Sequence, residues 1–251
     1  MMGRAMNTLC IDIGGTGLKA LVVGDDGKAD TERARVDTPQ PATPKAVIGE
    51  LLKLAQAQGQ FDRVSVGFPG VVRKGVTLTA HNLDPHWVGF DLASTLSKAL
   101  GKPVRVCNDA DVQGYAVVKG RGVELVITLG TGLGSALFLR GVLVPNLELG
   151  HHPFRKRKTY EECLGKKAMD KAGKKKWNKT LRKAIDAMEK CFNYDNLYIG
   201  GGNAKKIQGK LPPNVKIVSN VAGLIGGGFL WRSESRGKAK ADAGKRPVWG
   251  R

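Results

Sequence analysis

Apolar runs of strand length recur along the chain, broken by glycine-rich turns and by longer stretches whose apolar positions fall at helical spacing. Two segments are alike, "IDIGGTGLKALVVGDDG" at 11–27 and "ITLGTGLGSALFLRG" at 127–141. Each reads as an apolar strand, a loop containing G-T-G-L and a second apolar strand, so a hairpin with a glycine loop is duplicated within the chain. Between the copies the pattern predicts a strand at 29–37, a proline-rich loop "DTPQPATP", a helix at 44–58 and a strand "RVSVGF". A turn-rich stretch at 69–90, a helix at 91–100 and a strand "PVRVC" follow. After the second copy come a long basic helical region at 159–192, a strand "NLYIG", a glycine-rich turn, a strand "VKIVS" and a terminal helix at 221–231. Strands alternating with helices imply an α/β fold, and the tight hairpins make each sheet mixed. Two similar lobes, 7–120 and 121–231, with a cleft between them follow from the duplication. Residues 232–251 lack apolar periodicity and are expected to form a disordered basic tail.

Charge changes this picture more than composition does. With 251 residues and 41% hydrophobic positions the chain reads as an ordinary packed protein, yet its net charge is +19. Residues 153–190 hold fourteen Lys or Arg against five acids, and 232–251 hold seven against two. Such a field points to polyanionic partners: nucleic acid, anionic membrane or phosphate chains. The four cysteines (Cys10, Cys107, Cys163, Cys191) form no C-x-x-C pair, which suits reduced thiols in an intracellular compartment. No apolar run approaches the roughly 18 residues of a membrane span, and "MMGRAMNT" lacks the apolar core of a signal peptide. A soluble cytoplasmic protein is expected.

The first glycine loop, "DIGGTGLK", puts Asp12 at a strand end, followed by Gly14, Gly15 and Gly17, which bring backbone N–H groups close to an anion. Thr16 adds a hydroxyl and Lys19 a positive charge. An ordinary hairpin turn would explain one such loop. The second copy, with Thr128, Gly130, Thr131 and Gly132, favours paired phosphate loops. Neither follows G-x-x-x-x-G-K-S/T spacing or opens a helix. "VCNDAD" ends a strand in polar groups, where Asp109 suits a general base and equally suits a helix N-cap, leaving Asp111 as a first-turn acid. "ELGHH" offers Glu148 and His151 as acceptor and donor for a polyol in preference to metal ligation. "TAHNLDPHW" supplies Asn82 and Trp87, the latter equally readable as a packed aromatic. "GGGNAKK" follows a strand and is expected to open a helix, with Gly201, Gly202 and Lys205 toward an anion. "AGLIGGG" reads as a helix packed closely on a neighbour.

In this order, "DIGGTGLK", "TPQPATP", "VGFPGVV", "HNLD", "NDAD", "TLGTGLGSALF", "VPNLELGH" and "YIGGGNAKK" resemble the ROK family of sugar kinases, within it the polyphosphate glucokinase branch. The resemblance covers residues 7 to about 230. It implies an actin-like, ribonuclease H-like topology in both lobes. It also implies Asp109 as the base for a sugar 6-hydroxyl, and Asn82, Asn108, Glu148 and His151 as groups holding glucose. Gly14, Gly15, Thr16, Gly130, Thr131 and Gly132 match its phosphate loops, Asp12 the acid near a Mg²⁺-phosphate group, and Gly201 and Gly202 the border of a nucleoside. Two departures stand out. "HPFRKRKTYEECLGKK" replaces the family's zinc-binding cysteine cluster, so zinc is not expected. Neither Glu161 nor Glu162 can be matched to a further sugar-binding Glu from that region. The family's repressors carry an N-terminal helix-turn-helix, for which no room is expected before the first hairpin.

The expected activity is polyphosphate-dependent phosphorylation of glucose, with Mg²⁺ as cofactor and polyphosphate, ATP or both as donor. Lys166, Lys167, Lys171, Lys174, Lys175, Lys176 and Lys179 would track the polyphosphate chain, by the physics that makes nucleic-acid binding salt-dependent. A solvated basic helix is the plainer alternative. An ATP-dependent hexose kinase acting on glucose, mannose or fructose is the competing enzyme reading, and a nucleic-acid-binding or regulatory protein on the same scaffold is the third. The resemblance also implies a homodimer, with no membrane partner.

Overall fold

Alternation decides what each strand covers. In β1 (Thr8–Ile13), Leu9, Ile11 and Ile13 enter one core while Cys10 enters a second on the opposite face, so the run reads as continuously apolar. The structure is a computed structural model that describes residues 5–80, 83–218 and 222–231. β1 pairs antiparallel with β2 (Leu18–Val23), and β2 with β3 (Ala34–Val36). Helix α1 (Pro44–Ala57) starts where Thr43 accepts a hydrogen bond from the Ala46 N–H and Pro44 fixes the first helical position. β4 (Arg63–Phe68) then returns parallel to β1. A small antiparallel sheet of β5 (Val72–Arg73), β6 (Val76–Thr77) and β7 (Phe90–Asp91) leads into α2 (Leu92–Leu100), and β8 (Val104–Asn108) joins parallel to β4.

Helix α3 (Asp109–Tyr115) ends the first half, and the second opens with β9 (Val123–Leu129), β10 (Leu133–Leu139) and β11 (Val142–Val144). A short hairpin of β12 (Pro153–Arg155) and β13 (Lys158–Thr159) precedes α4 (Tyr160–Leu164), α5 (Lys166–Ala172) and α6 (Lys174–Phe192). β14 (Asn196–Gly200), β15 (Val215–Ile217) and α7 (Ala222–Phe229) complete it. The strand orders are β3-β2-β1-β4-β8 and β11-β10-β9-β14-β15. Position by position the directions agree: two antiparallel pairs, then two parallel ones. The duplication visible in the hairpins therefore extends to five strands.

Helices α1 and α2 cover one face of the first sheet, and α4–α6 cover the matching face of the second through Leu164, Trp177, Leu181 and Ile185. α3 and α7 lie between the sheets. Gly114 of α3 sits where a Cβ would stand 2.4 Å from the Phe138 ring of β10. On α7, a Cβ on Gly226 would stand 1.8 Å from the Val112 carbonyl oxygen of α3, and one on Gly227 would stand 2.7 Å from the Cys10 sulfur of β1. Glycine is thus what lets the two helices and the first sheet approach. Gly226→Ala meets backbone that cannot swing aside. It is expected to cost about 2–3 kcal/mol, lowering Tm by roughly 5–10 °C in a thermal melt.

Several boundaries differ from the sequence pattern. The basic region at 159–192 is three helices, because Gly165 and Gly173, the latter at φ 76°, break it. The 29–37 strand shrinks to Ala34–Val36, and residues 200–206 open only a 3-10 turn at Ala204–Lys206. The terminal helix, grouped by sequence with lobe 121–231, packs on α3 and on β1, β2 and β4 of the first sheet. The expected tail at 232–251 lies outside the described residues. Among those residues no helix is long and apolar enough to cross a membrane.

Candidate active site

Each glycine loop is closed by a backbone bond from its first glycine, across four residues in the first loop and three in the second. The Gly14 N–H donates to the Gly17 carbonyl (3.1 Å) and the Gly130 N–H to the Gly132 carbonyl (3.1 Å). In each case the loop joins antiparallel strands at one end of its sheet. Gly14, Gly15 and Thr16 from the first loop and Gly130, Thr131 and Gly132 from the second line one cavity of about 440 Å³, together with Thr128. Gly17 is not among its lining residues. A Cβ there would meet the Arg35 guanidinium at 2.9 Å, so its place is beneath Arg35.

Asp12 and Lys19 are cross-strand partners in the β1–β2 register, and the lysine Nζ lies 2.7 Å from Asp12 Oδ2. Both reach the cavity. The ambiguity in "NDAD" resolves by division of labour. Asn108 caps α3 by accepting from the Ala110 N–H (2.8 Å), and Asp109, the first helical residue, lines the cavity. Burial, then the charge of Asp12 and that of Glu148, push the Asp109 carboxyl up to about 7, against the opposing Ala110 N–H and Lys19. A carboxylate so placed is poised to take a proton near neutral pH.

Glu148 and His151 enter from the 3-10 turn at Leu149–His151, with His151 Nε2 3.6 Å from Glu148 Oε2. The turn presses on β10 because residue 150 is glycine: a Cβ would stand 2.2 Å from the Leu133 carbonyl oxygen. Ser135 fixes both flanks of Glu148, its hydroxyl donating to the Leu147 carbonyl (2.6 Å) and accepting from the Leu149 N–H (3.1 Å). Asn108 Nδ2 faces Glu148 Oε1 at 3.4 Å.

Glu161 is a cavity residue that the sequence left unassigned. Its carboxylate accepts from the Leu133 N–H at 3.1 Å, directly behind the second loop. Glu162 instead completes a capping box with Thr159 at the start of α4. The T-x-x-E spacing was the signal that separates the two acids.

Other expected residues lie elsewhere. Asn82 falls outside the described residues. Gly201, Gly202 and Lys205 do not line the cavity. Gly201, at φ 88°, backs onto Leu129, where a Cβ would meet the carbonyl oxygen at 2.3 Å, and Lys205 is exposed. Trp87 is a fully buried aromatic packed on Phe68 and Phe90, its indole donating to the Ala42 carbonyl (2.8 Å). Lys166, Lys167, Lys171, Lys174, Lys175, Lys176 and Lys179 are all exposed on α5 and α6. Helix α5 connects to the second loop, since the Gly130 carbonyl accepts from the Lys166 N–H (3.0 Å); the same carbonyl accepts from Asn203 Nδ2 (2.9 Å) of the segment after β14. Buried Asn178 of α6 ties the same elements together through the Lys206 carbonyl (3.1 Å) and the Gln208 N–H (2.8 Å). No cluster of three His, Cys, Asp or Glu able to hold a metal ion occurs among the described residues.

Two sheets of equivalent topology, meeting at a polar cavity lined by their hairpin loops, define an actin-like ATPase fold. Within that class the chain belongs to the ROK family, whose sequence profile matches residues 8–190. It is 32% identical over 241 residues to a polyphosphate glucokinase of Mycobacterium tuberculosis, covering 86% of this chain and 88% of that one. It is similar in structure to the inorganic polyphosphate/ATP-glucomannokinase of Arthrobacter sp. strain KM, with a TM-score of 0.81 and 34% identity over 90% of this chain and 99% of that one. A ROK family glucokinase from Streptomyces griseus, in complex with glucose and AMPPNP, shares the fold at a TM-score of 0.74 and 20% identity, over 89% of this chain and 98% of that one.

Proposed function

We propose that the protein is a polyphosphate-dependent glucokinase, with ATP as a second donor. The observation that carries the reading is the convergence of Asp109 and both glycine-threonine loops on one cavity, whose second loop is hydrogen-bonded to the first residue of the lysine-rich helix α5. The names of its relatives in Mycobacterium and Arthrobacter support the donor and the acceptor. Glucose hydroxyls need both acceptors and donors, and Asn108, Glu148, His151 and Glu161 supply them, with Asn82 in the same role.

In the reaction, the glucose 6-oxygen attacks the terminal phosphorus of the donor and its proton passes to Asp109. The bridging P–O bond breaks, and a polyphosphate shorter by one unit, or ADP, leaves. Backbone N–H groups of the two loops, with Thr16 and Thr131, hold the phosphates in line. Asp12, a single carboxylate with one oxygen paired to Lys19, fits an ion held chiefly by the donor's own phosphates. Mg²⁺ bound there would neutralise charge on the transferring group. Gly201, Gly202 and Lys205 remain candidates for the nucleotide end of ATP. The reading takes the enzyme as a cytoplasmic homodimer, as the family resemblance implies.

Charge on α6 favours polyphosphate over a merely basic surface. Lys174, Lys175 and Lys176 occupy the first turn, which has no acid and no side-chain cap, so they oppose the helix dipole. An anionic ligand there would offset that repulsion. Glucose 6-phosphate formation, measured with Mg²⁺ and either long-chain polyphosphate or ATP across a salt series, tests the proposal. Salt-sensitive turnover with polyphosphate is the expected result. Turnover with ATP alone would leave an ATP-dependent hexose kinase, and no turnover with either donor would refute both.

A further inference from the structure

The first glycine of each loop gives its carbonyl to a group outside the hairpin. A closed two-residue turn would have the Gly14 carbonyl accept from the Gly17 N–H. Among the described residues that bond is absent, and the Gly14 carbonyl accepts instead from Thr38 Oγ1 at 2.5 Å. Thr38 is buried, two residues past the end of β3. In the second loop the Gly130 carbonyl accepts from Nδ2 of buried Asn203 (2.9 Å) and from the Lys166 N–H (3.0 Å). Neither Thr38 nor Asn203 lines the cavity, whereas Gly15 and Thr131, which follow the two held carbonyls, both do. The two holds come from unequal places in the fold. β14 takes the position of β4 in the strand order, and Asn203 follows β14 while Thr38 follows β3. Duplication of the sheet therefore does not by itself produce the pair.

We infer that Thr38 and Asn203 are positioning residues for the phosphate donor, a pair of clamps that turn the loop peptides so that the Gly15 and Thr131 N–H groups face the donor. The Gly14–Gly15 and Gly130–Thr131 peptides are trans, so each carbonyl and the N–H that follows it point in opposite directions. Fixing the Gly14 carbonyl on Thr38 aims the Gly15 N–H away from Thr38. Fixing the Gly130 carbonyl likewise aims the Thr131 N–H away from Asn203 and α5. Glycine is what makes the hold necessary. The Gly14–Gly15 peptide joins two residues without a Cβ and turns over at little cost. Turned over, its carbonyl would close the hairpin on the Gly17 N–H, and the Gly15 N–H would be lost to the phosphate. An N–H held in place needs no reorganisation when charge develops on the transferring group. The two clamps differ in strength. Among the described residues the Gly14 carbonyl has Thr38 as its one partner, whereas the Gly130 carbonyl keeps the Lys166 N–H if Asn203 is lost. Both donors set phosphates against these loops, so the clamps act on polyphosphate and ATP alike, unlike the lysines of α5 and α6.

The assignment rests on the reading of the two loops as the donor-phosphate site, and the experiment separates the two. Calorimetric Kd values for inorganic tripolyphosphate with Mg²⁺ and for glucose are measured for wild type, Thr38→Val, Thr38→Ser and Asn203→Ala. kcat/KM for polyphosphate and for ATP, and thermal melts, are taken alongside. Valine removes the hydroxyl at nearly constant shape, and serine restores it. Thr38→Val is expected to weaken tripolyphosphate binding and to lower kcat/KM for both donors about five- to tenfold, with glucose Kd within about twofold. Thr38→Ser is expected to stay within about twofold of wild type throughout. Asn203→Ala is expected to lose about two- to threefold toward both donors, because the Lys166 N–H still holds the Gly130 carbonyl. An unchanged tripolyphosphate Kd in Thr38→Val overturns the clamp, as does an equal rise in glucose Kd, a loss confined to one donor, or a serine variant no better than valine. Should Thr38→Val fail to fold, Asn203→Ala decides by the same donor and glucose readings. A wild type that binds tripolyphosphate without phosphorylating glucose refutes the proposed activity and leaves tripolyphosphate Kd to decide on the clamps. A wild type that binds no tripolyphosphate refutes the phosphate site and the clamps with it.

Discussion

Asp109→Asn is expected to lower glucose 6-phosphate formation by about 10²- to 10⁴-fold, with glucose Kd changed only a few-fold. Asparagine keeps the shape of the side chain and its bond to the Ala110 N–H but cannot take the 6-hydroxyl proton. In the wild type, the acid limb of kcat/KM should fall about tenfold per pH unit below about 7, where burial and the charges of Asp12 and Glu148 hold the proton on Asp109. Stability should move the other way. A carboxyl whose folded pKa stands near 7 instead of the ordinary value of about 3.9 binds more protons folded than unfolded across that interval. Its contribution therefore favours the fold below about pH 4 and is lost as pH rises through 7. Asp109→Asn removes the buried charge, so its Tm should exceed the wild-type value at pH 8 and match it at pH 4. Each 1 kcal/mol relieved corresponds to about 2–4 °C. A variant that lost activity and stability together at pH 8 would instead mark Asp109 as structural.

Much of this fold was legible because both faces of each central strand are covered. Leu9, Ile11 and Ile13 against α1 and α2, with Cys10 against α7, make an apolar run that strand periodicity registers at once. The duplicated hairpin carried the rest, since equivalent loops imply equivalent sheets. Short elements escaped for the opposite reason. β5, β6 and β7 are two residues each, too short for alternation to show, and the β12–β13 hairpin turns through Lys156 and Arg157 at positive φ, where no glycine marks the turn. The placement of α7 on the first sheet was hidden as well. Its neighbours in sequence belong to the second sheet, and only the close approach of Gly226 and Gly227 to Val112 and Cys10 shows where it packs.

At the site, residues on strand ends were readable and residues that act through the backbone were not. Asp12, Asp109 and the two loops stand where apolar runs stop, which is a sequence signal. Glu161 acts by accepting from the Leu133 N–H, and Ser135 by holding two backbone groups. None of these partners is visible without the tertiary pairing of loops. The expected helix after "GGGN" failed because Asn203 spends its side chain on the Gly130 carbonyl and offers no cap to the 3-10 turn that follows.

Replacing Lys174, Lys175, Lys176 and Lys179 with glutamine is expected to raise polyphosphate KM roughly 10- to 100-fold at low salt, taking each exposed ion pair with a phosphate at about 0.2–1 kcal/mol. ATP-supported kcat/KM should stay within about threefold if, as proposed, a nucleotide's phosphates are held by the two loops. The salt slope separates a track from a local defect. If all four lysines meet phosphates, the slope of log KM for polyphosphate against log salt should fall by about 3, near 0.7 for each phosphate no longer neutralised. Stability gives an independent sign. All four side chains are exposed, three of them in a first turn whose dipole repels cations, so the quadruple variant should melt at the same temperature or slightly higher. Weaker polyphosphate use in a protein at least as stable means that these charges oppose the fold and serve a ligand. An unchanged polyphosphate KM and salt slope would return α6 to the role of a solvated basic surface and leave the two hairpin loops as the whole donor site.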